Sequence, residues 1–167
     1  MADGNFAGTE ALWYFAYGSN MSPAIFLERR GMHPFATHRA RLEGYRLCFS
    51  LPVGSGERGV ANVEPAAGEH VWGVAYLIHR SEGDQLDGTE GVRGGLYERI
   101  PVALAVDGDR LEAFTYRSCF ASAGRKPSAR YLGLLLEGAR RHGLPADYVR
   151  ALEALDVAVD ERLAPPE

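Results

Sequence analysis

Short apolar runs bounded by Gly, Pro and polar residues predict several strands followed by helices. Residues 12–17 (Leu-Trp-Tyr-Phe-Ala-Tyr) form an aromatic, β-prone run that Gly18 ends. Further strands are predicted at about residues 38–51, 59–64, 69–79, 96–106 and 110–119. The turn sequence Asp107-Gly108-Asp109 indicates that the last two strands form a hairpin.

Helix signals follow the first strand and dominate the C-terminal third. Helices are predicted at about residues 22–30, 81–87, 128–142 and 145–154. Ser22 before Pro23 and Ser128 further on are typical N-cap residues, and residues 81–84 resemble a capping box. The order of one strand, one helix, several strands and then helices predicts an α+β fold, not a doubly wound parallel sheet.

The composition is that of one soluble globular domain. The chain has 167 residues, of which 46% are hydrophobic and 24% charged. We expect a single domain over residues 12–160, with flexible tails at 1–11 and 161–167. The formal net charge of −4 argues against a nucleic-acid partner, because a phosphate-reading domain needs a basic face.

The chain also lacks the sequence signals of membrane and secreted proteins. No apolar run approaches the ~18 residues of a membrane span, and the N-terminus shows no secretory signal. Two cysteines, Cys48 and Cys119, cannot form a disulfide framework or a four-ligand zinc site. We therefore expect a cytoplasmic protein with free thiols and no membrane partner. A homodimer is an open alternative to a monomer.

The segment Tyr17-Gly18-Ser19-Asn20 is the first place where chemistry is expected. A strand leads into a glycine turn and a helix start, so backbone N–H groups point outward without partners. The helix dipole adds partial positive charge, and Ser19 and Asn20 add side-chain donors. The segment suits a carboxylate or another small anion. An ordinary tight turn followed by a helix cap is the alternative interpretation.

Residues 87–95 form the second candidate segment. Four of the eight residues from 88 to 95 are glycine, which costs backbone entropy and buries no surface. The backbone therefore needs unusual dihedral angles there, or something approaches it closely. Glu90 lies between a predicted helix end and a predicted strand start, where its carboxylate could act as a general acid/base. A solvated acidic loop is the alternative.

Two tyrosines complete the set of candidate residues. The hydroxyl of Tyr97 or Tyr131 could donate to a ligand, although a single tyrosine of this kind is more often a half-buried core residue. The five histidines show no spacing typical of metal ligands. The sequence therefore predicts neither a metal nor an organic cofactor.

Several segments in a fixed order resemble one known family. Residues 15–21 (Phe-Ala-Tyr-Gly-Ser-Asn-Met) resemble the substrate-binding loop of the γ-glutamylcyclotransferase family. Residues 86–92 (Leu-Asp-Gly-Thr-Glu-Gly-Val), followed by residues 95–97 (Gly-Leu-Tyr), resemble its catalytic-glutamate segment. The remaining matches are to the strand before that segment and to the C-terminal helices, at residues 71–74, 127–131 and 143–148. The resemblance covers roughly residues 12–155.

The resemblance implies both a fold and a reaction. The fold would be a small mixed β-barrel flanked by helices. The reaction would be the intramolecular attack of a γ-glutamyl α-amine on its own γ-carbonyl, which releases 5-oxoproline and a free amine or amino acid. Glu90 would be the general acid/base, with a pKa above the ~4.3 of free glutamate. Residues 17–20, Tyr97 and Tyr131 would bind the small-molecule substrate, and no cofactor would be needed.

The resemblance leaves the leaving group of the substrate open. Family members release amino acids or lysine-type amines, or remove γ-glutamyl protecting groups in antibiotic assembly, and all their substrates share the glutamyl half. Selectivity would come from the pocket rim, which we expect to include loops 52–59 and 120–128. The Arg125-Lys126 pair in the second loop could favour an acidic leaving group or simply be solvated. Two other functions stay open: a non-catalytic module that binds a small acidic metabolite, and an amide hydrolase.

Overall fold

Five strands close into a barrel that carries the helices on its outside. The computed structural model describes residues 10–54 and 56–159, so the predicted tails lie outside the described residues except for Glu10 and Ala11. The strands are β1 (Ala11–Ala16), β2 (Ala36–Pro52), β3 (Gly59–His79), β4 (Glu98–Val106) and β5 (Asp109–Arg117). The helices are α1 (Arg80–Thr89), α2 (Ala129–Arg141) and α3 (Ala146–Glu153). Shorter helical turns span Ser19–Met21, Ala24–Arg29 and Val92–Gly94.

The barrel is mixed, which confirms the predicted α+β class. Its strand order is β1-β3-β2-β4-β5, and its neighbouring strands pair in antiparallel fashion. The barrel closes where β1 pairs in parallel with β5, at Tyr14 and Phe114. None of the helices in the described part of the chain has the length and apolarity of a membrane span.

The two strands predicted at 59–64 and 69–79 are one continuous strand, β3. Its pairing with β2 shifts register where residues 66–69 lie opposite Gly44. The extra residues are accommodated as a bulge, and Gly44 and Gly68 have φ values of +78° and +79° there. Residues between the two predicted strands therefore do not separate them, but form a bend within the long hairpin of β2 and β3.

Helix starts were predicted less well than the strands. The segment expected to be a helix from Ser22 is a single wide turn over Ala24–Arg29, in which the Arg30 N–H donates to the Ile25 carbonyl at 2.9 Å. Ser22 does not cap this turn. The capping box of α1 starts at His79, not at Ser81, and pairs His79 with Glu82. Ser128 caps α2 as predicted.

Helix α2 packs closely against the turn Ser19–Met21. Its buried face carries Leu132, Leu135 and Ala139. A Cβ at Gly138 would lie 2.5 Å from the Cβ of Met21 and 2.6 Å from its carbonyl carbon. The helix therefore approaches the turn backbone to backbone, which only glycine at this position permits. Because the same turn carries the predicted anion-binding segment, α2 helps to hold that segment in place.

Candidate active site

The residues predicted to form a site meet in one narrow cavity. Its lining includes every predicted site residue: Tyr17, Gly18, Ser19, Asn20, Glu90, Tyr97 and Tyr131. Tyr14, Ala61 and Tyr116 also line it. The cavity lies where β1 ends, beside the C-terminal end of α1 and the N-terminal end of α2. Segments far apart in sequence therefore supply one shared surface.

The loop after β1 brings backbone donors to this cavity. The turn Ser19–Met21 opens with the Met21 N–H donating to the Gly18 carbonyl at 3.1 Å. The N–H groups that precede such a bond have no partner within the turn, and the Ser19 backbone hydrogen-bonds to the Tyr131 hydroxyl. A Cβ at Gly18 would lie 2.9 Å from the Tyr131 hydroxyl and 3.2 Å from the Ala61 Cβ. Glycine is therefore required for the loop to approach its neighbours this closely.

Glu90 is held at the end of α1 by the glycine-rich segment. Its N–H donates to the Leu86 carbonyl at 2.9 Å, as the last residue of the helical hydrogen-bond pattern. The chain then turns away through Gly91 and Gly95, whose φ values are +66° and +74°. These left-handed conformations explain two of the four glycines and confirm the expected unusual dihedral angles. They leave the half-buried Glu90 side chain facing the cavity.

Asn20 connects the loop at residues 17–20 to Glu90. The side-chain amide nitrogen of Asn20 donates to the Glu90 carboxylate at 3.2 Å and to the Tyr14 hydroxyl at 2.9 Å. The amide oxygen accepts from the Arg30 Nε at 2.5 Å, and the backbone carbonyl accepts from the Tyr76 hydroxyl at 2.9 Å. Asn20 is only 4% exposed, so these bonds fix its orientation.

The surroundings of Glu90 move its pKa upward. Burial raises the pKa of the Glu90 carboxyl above its ordinary value, because the charged form loses hydration. The positive charge of Arg30 and the hydrogen bond from Asn20 oppose this rise in the pKa. The direction agrees with the sequence-based expectation of a partly desolvated carboxylate. A higher pKa brings the group closer to the range in which it can both accept and release a proton near neutral pH.

The cavity tyrosines differ in what their hydroxyls contact. Three of them donate to fixed acceptors: Tyr17 to the Tyr116 carbonyl at 2.5 Å, Tyr97 to the Ala61 carbonyl at 2.7 Å and Tyr116 to the Asp87 carboxylate at 2.5 Å. The Tyr131 hydroxyl instead accepts from the Ala61 N–H at 3.0 Å, and the backbone and side chain of Ser19 also hydrogen-bond to it. Burial raises the pKa of Tyr131 to about 12, which keeps this hydroxyl neutral.

Four residues in or next to the site escaped the sequence reasoning. Tyr14 and Tyr116 line the cavity, Arg30 reaches Asn20, and Asp87 accepts from both Tyr116 and Arg99. Asp87 belongs to the glycine-rich segment, and its position three residues before Glu90 was the available signal. Tyr14 and Tyr116 carried no such signal, because they come together only when the barrel closes and β1 pairs with β5.

The loops expected at the rim brace each other. The Lys126 N–H donates to the Glu57 carbonyl at 2.8 Å, and the Gly59 N–H donates to the Lys126 carbonyl at 2.9 Å. The Arg125 guanidinium donates to the Arg58 carbonyl at 2.8 Å and to the Ser122 hydroxyl at 3.2 Å. Arg125 therefore joins the two loops. Within the described residues, no group of three or more His, Cys, Asp or Glu side chains could hold a metal ion.

Comparisons with known proteins show which family this chain is similar to. The model of the AIG2-like family matches residues 70–152. A γ-glutamylcyclotransferase of Homo sapiens is 32% identical over 154 residues, which cover 88% of this chain and 80% of that protein. The γ-glutamyl cyclotransferase gliK of Claviceps purpurea is 33% identical over 145 residues, which cover 79% of this chain and 64% of that protein.

A solved structure extends the likeness to the whole fold. A γ-glutamyl cyclotransferase structure superimposes with a TM-score of 0.82 at 27% sequence identity, covering 95% of this chain and 94% of that one. The matched range 70–152 contains Glu90, Tyr97 and Tyr131, while the longer alignments span most of the chain. The chain belongs to the γ-glutamylcyclotransferase family.

Proposed function

We propose that this enzyme converts a γ-glutamyl-amine or γ-glutamyl-amino acid into 5-oxoproline and the free amine, with Glu90 as the general acid/base. The observation that carries the proposal is the Glu90 carboxylate, held 3.2 Å from the Asn20 amide in a narrow cavity that backbone donors and tyrosines line. The names of the relatives support the same class of reaction.

The reaction needs one proton carrier and no water. The substrate α-amine attacks its own γ-carbonyl carbon, and the new C–N bond closes the five-membered ring. Glu90 takes the proton that the attacking nitrogen loses. It then gives that proton to the departing nitrogen as the original amide C–N bond breaks. Because the same carboxyl accepts and donates the proton, each turnover leaves it in its starting state.

The pKa shift of Glu90 supports this double role. A carboxylate with an ordinary pKa is a weak base, and its protonated form is scarce near neutral pH. Burial raises the pKa of Glu90, while Arg30 and Asn20 limit the rise, so the pKa lies closer to neutral pH than that of a free glutamate. Arg30 contacts Asn20 through its Nε and acts on the carboxylate as a positive charge.

The loop at residues 17–20 supports the binding of the glutamyl part. Its backbone N–H groups suit the substrate α-carboxylate, which fixes a chain that must bend for its amine to meet its carbonyl. The developing oxyanion needs a further donor. We assign that donor to the Tyr131 hydroxyl, because it donates to no backbone carbonyl, whereas Tyr17 and Tyr97 do.

Product analysis tests the proposed function. The enzyme is incubated with γ-glutamyl-alanine, γ-glutamyl-ε-lysine and a γ-glutamyl-alkylamine, alongside the Glu90→Gln variant and a control variant of the exposed Glu69, Glu69→Gln. Mass analysis should find 5-oxoproline from at least one substrate, lost in Glu90→Gln and retained in the control. Free glutamate as the product would show hydrolysis and refute the cyclisation. Tight binding without any product would indicate a binding module.

A further inference from the structure

The hydroxyl proton of Tyr14 has no acceptor in the part of the chain that the structure describes. Tyr14 is 4% exposed, and its oxygen accepts from the Asn20 amide at 2.9 Å. By contrast, Tyr17 donates to a backbone carbonyl, and Tyr116 donates to the Asp87 carboxylate. A buried donor without an acceptor costs free energy, so we expect a bound ligand to supply the acceptor in the cavity that Tyr14 lines.

Asn20 places the Tyr14 hydroxyl close to Glu90. The same amide nitrogen donates to the Tyr14 oxygen at 2.9 Å and to the Glu90 carboxylate at 3.2 Å. Because the two N–H bonds of an amide diverge by about 120°, these two acceptor oxygens lie roughly 5 Å apart. Burial raises the pKa of the Tyr14 hydroxyl well above its ordinary value, and the negative charge of Glu90 raises this pKa further. The hydroxyl therefore stays protonated and can donate.

This separation of hydroxyl and carboxylate fits the geometry of one reacting carbon. When the substrate amine attacks, the tetrahedral carbon carries the attacking nitrogen, the departing nitrogen and an oxygen with growing negative charge. A carboxylate that exchanges a proton with one of the nitrogens and a hydroxyl that donates to the oxygen approach this carbon from neighbouring directions. Their own oxygens then lie several ångströms apart, as those of Glu90 and Tyr14 do.

We propose that Tyr14 is a further catalytic residue, whose hydroxyl donates a hydrogen bond to the oxyanion that develops on the substrate γ-carbonyl oxygen. This inference rests on the proposed function and adds a second donor beside Tyr131. As the new C–N bond forms, the carbonyl π electrons move to the oxygen, and the proton of Tyr14 stays on its own oxygen. Once Glu90 has taken the amine proton it is neutral, so it does not repel the oxyanion.

The ring of Tyr14 is held in place by other aromatic rings. It stacks with Phe26 and Tyr76 at centroid distances of 5.9 and 6.4 Å, and it contacts Phe114 and Tyr116 at 5.4 and 5.7 Å. An oxyanion donor is effective because it is oriented before the reaction begins, and these contacts provide that orientation. They involve the ring alone, so Tyr14→Phe keeps them and removes only the hydroxyl.

Steady-state kinetics of Tyr14→Phe tests the proposal, with the γ-glutamyl substrate that the wild-type enzyme converts fastest. The kcat for 5-oxoproline formation should fall roughly 100-fold, the cost typical of one lost oxyanion donor, while KM stays within about threefold. The matched control is Tyr148→Phe, because Tyr148 is a half-buried tyrosine of α3 that does not line the cavity. Its kcat should be unchanged, and circular dichroism checks that both variants fold.

Two readouts separate donation to the substrate from the positioning of Asn20. If the Tyr14 oxygen served only to hold Asn20, its loss would weaken the hydrogen bond that lowers the pKa of Glu90. The acid limb of the kcat/KM profile of Tyr14→Phe would then move to higher pH, which overturns the proposal; an unmoved limb supports it. 3-Fluorotyrosine at position 14 is a stronger donor and a weaker acceptor than tyrosine. Donation predicts a kcat at or above that of the wild type, and a lower kcat in the folded protein contradicts it.

The outcomes also separate this inference from the function on which it rests. Absence of 5-oxoproline from every substrate with the wild-type enzyme overturns the proposed function and the role of Tyr14 with it. Product from the wild type, together with a kcat of Tyr14→Phe within about threefold of the wild-type value, overturns only the role of Tyr14. A higher KM with an unchanged kcat would place the hydroxyl in substrate binding and not in the transition state, which overturns the assignment as well.

Discussion

Replacing Glu90 by Gln should lower activity and raise stability at the same time. The carboxamide has almost the same shape and keeps an oxygen that can accept from the Asn20 amide, now 3.2 Å from the carboxylate. The loss is therefore confined to proton transfer. General acid–base catalysis contributes about 100- to 10,000-fold, so kcat/KM for 5-oxoproline formation should fall by about that factor.

The stability effect follows from the raised pKa of Glu90. Because burial raises the pKa of this carboxyl in the folded protein, the folded state binds its proton more tightly than the unfolded state does. Below the unfolded pKa of about 4.5 this proton adds its full stability. As the pH rises from there through the folded pKa, that stability is lost, by at most about 1.4 kcal/mol per pH unit.

Unfolding in urea at several pH values checks this reasoning. The free energy of unfolding of Glu90→Gln minus that of the wild type should increase with pH across this window and then level off. Glu69→Gln should show no such trend, because the Glu69 side chain is exposed to solvent in the folded protein. A difference that stays constant with pH would mean that burial does not dominate the pKa of Glu90. Near-full activity of Glu90→Gln would remove this residue from the mechanism.

Three further predictions follow from individual contacts. Arg30→Gln removes the positive charge that lowers the pKa of Glu90, so the acid limb of the kcat/KM profile should move to higher pH; an unmoved limb would contradict this role. Gly18→Ala forces a Cβ to within 2.9 Å of a cavity hydroxyl, and kcat/KM should fall at least about tenfold while the circular dichroism spectrum is retained. In α2, Gly133→Ala should raise the free energy of unfolding by about 0.5–1 kcal/mol, because its Cβ meets nothing within 4 Å. Gly138→Ala should lower that free energy and the Tm, because its Cβ would lie 2.5 Å from the adjoining turn; equal effects of the two changes would refute the packing argument.

Local sequence signals predicted much of the site. The loop at residues 17–20 was predictable because it comes directly after a short aromatic strand and contains Gly18. The position of Glu90 was predictable because it lies at a helix end, close to glycines that adopt left-handed conformations. Both depend on interactions within a few residues, which a single sequence displays. The hairpin of β4 and β5 was predictable for the same reason, since Asp107 and Gly108 have φ values of +49° and +84°.

Long-range contacts explain what the sequence did not reveal. Tyr14 and Tyr116 share the cavity because β1 pairs in parallel with β5, a contact between segments about a hundred positions apart. The hydrophobic periodicity of a strand does not indicate which distant strand it pairs with. Arg30 reaches Asn20 only because the preceding turn is wider than an α-helix, so its position could not be obtained from the predicted helix. Packing against neighbouring segments decided these geometries, and local propensity did not.

The chemistry of the site explains why an amide occupies position 20. An aspartate there would place a second negative charge beside Glu90, raise its pKa further and lose the donor to the Tyr14 hydroxyl. A leucine of similar size would leave Arg30 and the Glu90 carboxylate without their shared partner in a partly buried place. Only a group that donates on one side and accepts on the other can join a cation to a carboxylate while holding the two apart. Asn20 therefore lets Arg30 moderate the pKa of Glu90 without a direct ion pair, which would oppose the proton transfer that we propose for Glu90.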